Sequence, residues 1–169
     1  MKKDLWEKCV EFHGHACPGL AFGFQAACLV NDYFGFKRAQ DEEIICVTEN
    51  DACGVDAIQF LLGCTFGKGN LIYRPRGKSA YSFFQGQRDE GRRLVLKRRE
   101  WQEDKEEKIK AILSEDPRDL FLLKKPHFPS PAGAKIFNTI DCENCGEGTA
   151  EPFIRLQDDK KLCLDCLEN

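Results

Sequence analysis

Residues 141–169 read DCENCGEGTAEPFIRLQDDKKLCLDCLEN, and their two Cys-x-x-Cys pairs, 17 residues apart, decide what this segment can become. Fewer than thirty residues cannot bury enough apolar surface to fold alone, so a cross-link or a metal must hold them. Cys142 with Cys145 and Cys163 with Cys166 have the spacing of a four-thiolate zinc site, each pair wrapping a tight turn toward one tetrahedral ion. Gly146 suits the positive backbone angle that such a turn demands, and Asp158-Asp159 is a fair turn within a single intervening hairpin. The bland alternative is a pair of reducible disulfides. No dense basic stripe accompanies the cysteines, so protein contact or bracing fits the module better than nucleic-acid reading.

The chain has ten cysteines: six in the first 64 residues, none from 65 to 141, and four in the last 28. Two separate cysteine systems follow. The opening MKKDLWEKCVEF is basic at first, but Asp4, Glu7 and Lys8 interrupt any apolar signal region. A cytoplasmic location is therefore expected, where metal ligation and catalysis explain thiols better than disulfides do. No apolar run approaches a membrane span. A net charge of −3 gives no general pull toward nucleic acid.

Along the chain, DLWEKCVEF spaces Leu5, Trp6, Cys9 and Phe12 as a short amphipathic helix. The segment from Pro18 to Phe34 is apolar on nearly every side and reads as a buried helix with Pro18 at its first position. EEIICVTE is a strand, and CGVDAIQFLLG a helix that Gly63 stops. NLIYRPRGKSAYSFFQ reads as two strands joined by a turn around Pro75 and Gly77, and RRLVLKR as a further strand. EWQEDKEEKIKAILSED is an exposed helix that makes contact through Trp101, Ile109 and Ile112, and DPRDLFLLKK adds a helical turn or two. Three prolines between 126 and 131 mark an extended linker. The expected organisation is a main domain over 1–126, a linker over 127–140 and the four-cysteine domain over 141–169.

FHGHACPG, residues 12–19, carries two of the three histidines beside a cysteine. In an extended segment His13, His15 and Cys17 would project to one side. Cys17 precedes Pro18, so the dipole and free N–H groups of the following helix favour its thiolate. ENDACGVDAIQ repeats the plan, with Cys53 at a helix start and Asp56 in its first turn. Two helix N-termini meeting would place His15, Cys17 and Cys53 around one cavity suited to a divalent ion, zinc being the natural choice for mixed sulfur and nitrogen ligands. His13 reads equally as a capping histidine. Cys64, eleven residues after Cys53, would lie about 16 Å along a continuous helix and cannot share that ion. Cys9, Cys28 and Cys46 fit buried small hydrophobes, and His127 fits a linker residue. GCTFGKGN can cradle an anion through Lys68, or be an ordinary tight turn.

FHGHACPGLAFG (12–23), CGVDAIQFLLGCTFGKGNL (53–71) and PSPAGAKIF leading into CENCGE together resemble FmdE, a component associated with formylmethanofuran dehydrogenase, and its relatives, over nearly the whole chain. The tail also resembles the four-cysteine zinc finger of the TraR/DksA type. The resemblance implies an α+β fold. Its mixed or antiparallel sheet with packed helices would precede a small zinc-ribbon or treble-clef-like domain, in a homodimer. It also implies association with a molybdenum or tungsten enzyme. Family-like site positions are His15, Cys17 and Cys53, with Cys64, Asp56 and Lys68 as further candidates.

The first functional reading is a metal-binding accessory protein serving such an oxidoreductase, with subunits of that enzyme as partners. The second is an autonomous zinc-dependent enzyme acting on a small anionic substrate. There Cys17, Asp56, Lys68 and Cys64 are the catalytic candidates, Asp56 as general base and Lys68 as the anion's partner. A zinc-finger regulatory protein is the third, against which the acidic charge and large first domain argue.

Overall fold

In a computed structural model describing residues 2–35, 38–41, 43–85, 91–101, 104–133 and 136–168, the chain divides into two compact units, Met1–Ala134 and Lys135–Asn169. The first contains α1 (Lys2–His13), α2 (Pro18–Phe34), β1 (Ile44–Thr48), α3 (Gly54–Leu62), β2 (Leu71–Tyr73), β3 (Ala80–Gln85), β4 (Gly91–Leu96), α4 (Lys105–Ser114), α5 (Pro117–Leu120) and β5 (Phe121–Lys124). The fold is α+β with a mixed five-stranded sheet, ordered β2-β1-β3-β4-β5. β1 and β2 are parallel; the other pairs are antiparallel.

Helix α2 is apolar all round because it is central. Leu20, Ala21, Phe24, Ala26, Ala27 and Val30 are buried between the sheet and its neighbouring helices. Pro18 opens the helix, and Gly35, with φ of 64°, closes it by donating to the Asn31 carbonyl at 2.8 Å. The buried Gln25 side chain donates to the carbonyls of Ile112 (2.6 Å) and Glu115 (3.0 Å), fastening the end of α4 to α2.

Alternation along the strands separates two faces. Ile44, Cys46, Phe83 and Leu94 face the helices, whereas Ile45, Val47 and Phe84 form a smaller cluster with Ile72 and Phe128. On this second face Glu49 and Arg93 make a bidentate ion pair of 2.6 and 2.8 Å, with both side chains about 95% buried (5% and 6% exposed). Ser82, opposite Arg93 in the register, is fully buried and its hydroxyl has no partner among the described residues.

Two local expectations change. β2 and β3 are joined through the turn at Gly77, but they do not pair with each other, because β1 lies between them and pairs with both. DPRDLFLLKK contributes one helical turn and then an edge strand, with Leu122 and Leu123 exposed. Among the described residues no helix is long and apolar enough to cross a membrane.

The second unit holds β6 (Thr139–Asp141), β7 (Gly148–Ala150), β8 (Ile154–Gln157), β9 (Lys160–Cys163) and α6 (Leu164–Glu168). It has two small hairpins, β6–β7 and β8–β9. Asp158 and Asp159, with φ of 50° and 63°, make the tight turn between β8 and β9.

Candidate metal centres

In the first unit, helix α1 ends at His13, and Gly14 closes it with φ of 94° and an N–H donated to the Val10 carbonyl at 2.7 Å. The chain then turns into Cys17, the N-cap of α2, whose sulfur accepts from the Leu20 N–H at 3.3 Å. Cys53 caps α3. The two helices cross through glycines: a Cβ on Gly23 would collide with the Gly54 backbone. This close approach brings the sulfurs of the two N-cap residues, Cys17 and Cys53, together beside His13.

The ligand atoms of His13, Cys17 and Cys53 all lie within 4.8 Å of one another. His13 Nε2 is 3.9 Å from Cys17 Sγ. Zinc–sulfur and zinc–nitrogen bonds of about 2.3 and 2.0–2.1 Å put tetrahedral ligand atoms roughly 3.5–3.8 Å apart. The donor set therefore fits a small divalent ion with minor adjustment. On the other side of the ring, Nδ1 lies 2.7 Å from Asp56 Oδ2. An ionised carboxylate only accepts, so Nδ1 is the donor in this contact and Nε2 is the nitrogen left facing the sulfurs, where it could ligate an ion. Gln59 Nε2 donates to the other Asp56 oxygen at 3.0 Å.

His15, the imidazole expected here, is exposed, with its ring centroid 4.6 Å from that of His13. The assembled group thus contains His13 in its place. Cys53 differs electrostatically from expectation as well. It receives no side-chain capping hydrogen bond, and burial and the adjacent Cys17 sulfur push its thiol up. Cys9 and Cys28 lie in the apolar cluster beneath, where burial raises their thiols to about 12 and about 11.

Cys64 and Lys68 are not brought to this group. Cys64 is fully buried at the opposite end of α3, its sulfur 3.6 Å from the Ile44 carbonyl, and burial raises it to about 12. Lys68 Nζ donates to the Ala39 carbonyl at 3.0 Å. Asp56 is present, but as the residue that orients His13.

In the second unit the ligand atoms of Cys142, Cys145, Cys163 and Cys166 also lie within 4.8 Å of one another. Gly146 has φ of 75° and donates to the Cys142 carbonyl at 2.8 Å, forming the expected knuckle. The backbone N–H groups of Cys145 and Cys163 pull Cys142 down to about 6, which favours the thiolate form that a metal ion requires. The knuckle, the β8–β9 hairpin and the ligand-bearing α6 form a treble-clef arrangement.

A family model described as "FmdE, Molybdenum formylmethanofuran dehydrogenase operon" matches residues 12–125, two thirds of the chain and all of the His13–Cys17–Cys53–Asp56 group. The chain belongs to the FmdE family. A solved protein of Syntrophus aciditrophicus, named as FmdE-like after tungsten formylmethanofuran dehydrogenase, superposes with a TM-score of 0.70 at 27% identity. The match covers 98% of this chain and 91% of that one. A curated relative of Archaeoglobus fulgidus, named "Probable S-adenosyl-L-methionine-binding protein", is 27% identical over 92% of this chain. This FmdE chain spans half the length of that relative.

Proposed function

We propose that this FmdE-family protein carries two zinc ions per chain, one structural in the four-cysteine unit and one functional at His13, Cys17 and Cys53. In this reading it serves a molybdenum- or tungsten-dependent oxidoreductase as an accessory metalloprotein. One observation carries the functional centre: three ligand atoms within 4.8 Å, with the far nitrogen of the histidine held by a carboxylate. The accessory role draws on the names of the family and of its Syntrophus relative. S-adenosyl-L-methionine is a ligand to test rather than part of the reading, since this chain spans half the length of the relative bearing that name.

A second reading, an autonomous enzyme acting on a small anionic substrate, is favoured by a different observation. Three protein ligands leave one position of a tetrahedral ion open, as in catalytic zinc sites. Gly19, which adjoins both Cys53 and the Cys17 sulfur, also lines a 50 Å³ cavity with Gly54, Tyr81, Phe22, Ser79 and Leu96. The last three residues line a neighbouring 560 Å³ groove with Lys78, Lys97, Arg98, Arg99 and Lys108. That groove supplies the cationic partners for which Lys68 is badly placed. A bound ion would contribute Lewis acidity, and Asp56 would act as a positioning residue through His13.

Metal analysis of the purified full-length protein tests the common core. Two ions per chain are expected, falling to one in H13A and in the double variant C17S/C53S, and staying at two in H15A. Undiminished metal in C17S/C53S would sink the functional centre. Copurification of a molybdenum- or tungsten-enzyme subunit favours the accessory role, and its failure favours the autonomous one.

A further inference from the structure

The sheet face opposite the helices bears a second polar constellation, independent of the metal centres. A cavity of 170 Å³ is lined there by Glu49, Arg74, Arg76, Lys78, Arg93, His127 and Phe128. Its cations come from two sources. Arg93 stands on β4, while the RPRGK stretch between β2 and β3, which turns at Gly77 with φ of 63°, brings Arg74, Arg76 and Lys78 to the same cavity. Hydrogen bonds from the Arg74 and Arg76 N–H groups to the Thr48 and Glu49 carbonyls, at 2.9 and 3.1 Å, hold that stretch against the end of β1. Arg74 is further steadied by its guanidinium lying 4.6 Å from the centre of the Phe128 ring.

Charge accounting gives the cavity its meaning. Glu49 is the one carboxylate among the described lining residues, and both of its oxygens are occupied by Arg93. Arg74, Arg76 and Lys78 are in no ion pair with any described residue. Three cations therefore line a space with no free carboxylate among the described lining residues, and His127 adds a ring N–H in either protonation state. On a chain with a net charge of −3, this concentration is a local design rather than a general excess of base.

Size narrows the ligand. At about 30 Å³ per water, the cavity holds roughly five or six waters, well under the 300–1,000 Å³ of typical drug-sized pockets. A nucleotide is too large. Guanidinium forks match oxyanions, and a dianion balances three cations better than a single carboxylate does. We propose that this cavity binds a phosphate dianion, either inorganic phosphate or the phosphate end of a small monoester.

The test uses the full-length protein with its metals in place, titrated with inorganic phosphate and separately with glycerol 3-phosphate, followed by calorimetry and phosphorus NMR. Saturable binding in about the millimolar range or tighter is expected. R76A is the sharper variant because Arg76 lines this cavity and not the neighbouring groove; K78A is the second. Both side chains are exposed, so little packing is lost. Each should weaken binding about tenfold, as for loss of a charged hydrogen bond, and C17S/C53S should leave it unchanged. Tighter binding of the ester than of free phosphate assigns the former as ligand, and the reverse assigns the latter. Absence of saturation by either probe up to about 10 mM, unchanged affinity in R76A/K78A, or binding of an oligonucleotide but neither small probe would each overturn the proposal.

Discussion

Asp56 Oδ2 lies 2.7 Å from His13 Nδ1, although 43 residues separate them in the chain. The contact joins the end of α1 to the first turn of α3 and sets which imidazole nitrogen is free. Asp56→Asn keeps the shape but removes the obligate acceptor. Metal affinity at this centre should fall about 10- to 100-fold, as for other carboxylates that orient ligating histidines. Competition with a chromophoric chelator measures it, and the four-cysteine ion should be unaffected. An unchanged affinity would remove Asp56 from the centre.

The second unit has little apolar material of its own; Cys142, Leu162 and Cys163 are its buried cluster. Chelation, or Cys145→Ser, should therefore abolish the dispersed NMR signals of residues 139–168 while the first unit keeps its signals. Persistence of native-like signals after complete removal of the ion would show that the unit folds without it.

His13 shows where the sequence was legible and where it was not. The helix starts at Cys17 and Cys53 could be read locally, from Pro18, Gly54 and the apolar periodicity, as could the four-cysteine spacing. Choosing between His13 and His15 required knowing that α1 runs to His13 and that Gly14 then reverses the backbone, whereas an extended 13–17 segment presents both rings alike. The insertion of β1 between β2 and β3 was hidden for a related reason: pairing is a long-range choice, and a turn-like RPRGK looks the same in a hairpin as in a crossover. β5 escaped because an edge strand with two exposed leucines lacks the alternation of a half-buried one.

Arg93 holds Glu49 below the ordinary carboxylate range. Folded Glu49 thus stays charged to lower pH than it does in the unfolded chain, where its pKa is about 4.3. The pair contributes fully above that value, and the contribution is lost as pH falls through the depressed folded pKa. Glu49→Gln should cost about 3 kcal/mol or more at neutral pH, because it leaves Arg93 buried without its counter-charge. It should also flatten the loss of stability below about pH 4. Urea unfolding across a pH series checks both effects.

Ser82 gives a prediction of the opposite sign. Its buried hydroxyl has no partner among the described residues. Replacement by alanine removes a desolvated polar group and little volume, so stability should stay level or rise by about 1 kcal/mol. A loss of more than that in urea unfolding would mean that the hydroxyl is engaged, for example by a buried water.

The glycine crossing of α2 and α3 has a consequence for metal choice. Gly23 and Gly54 meet backbone to backbone, so the backbone separation of Cys17 and Cys53 is set by the packed helices, and only rotation about their side-chain bonds can change the gap between the sulfurs. A loop-borne site can swell or shrink around whichever ion arrives. This one resembles a calliper with short travel: a larger cation would have to be met by rotating the two cysteine side chains, by spreading two packed helices, or with incomplete coordination.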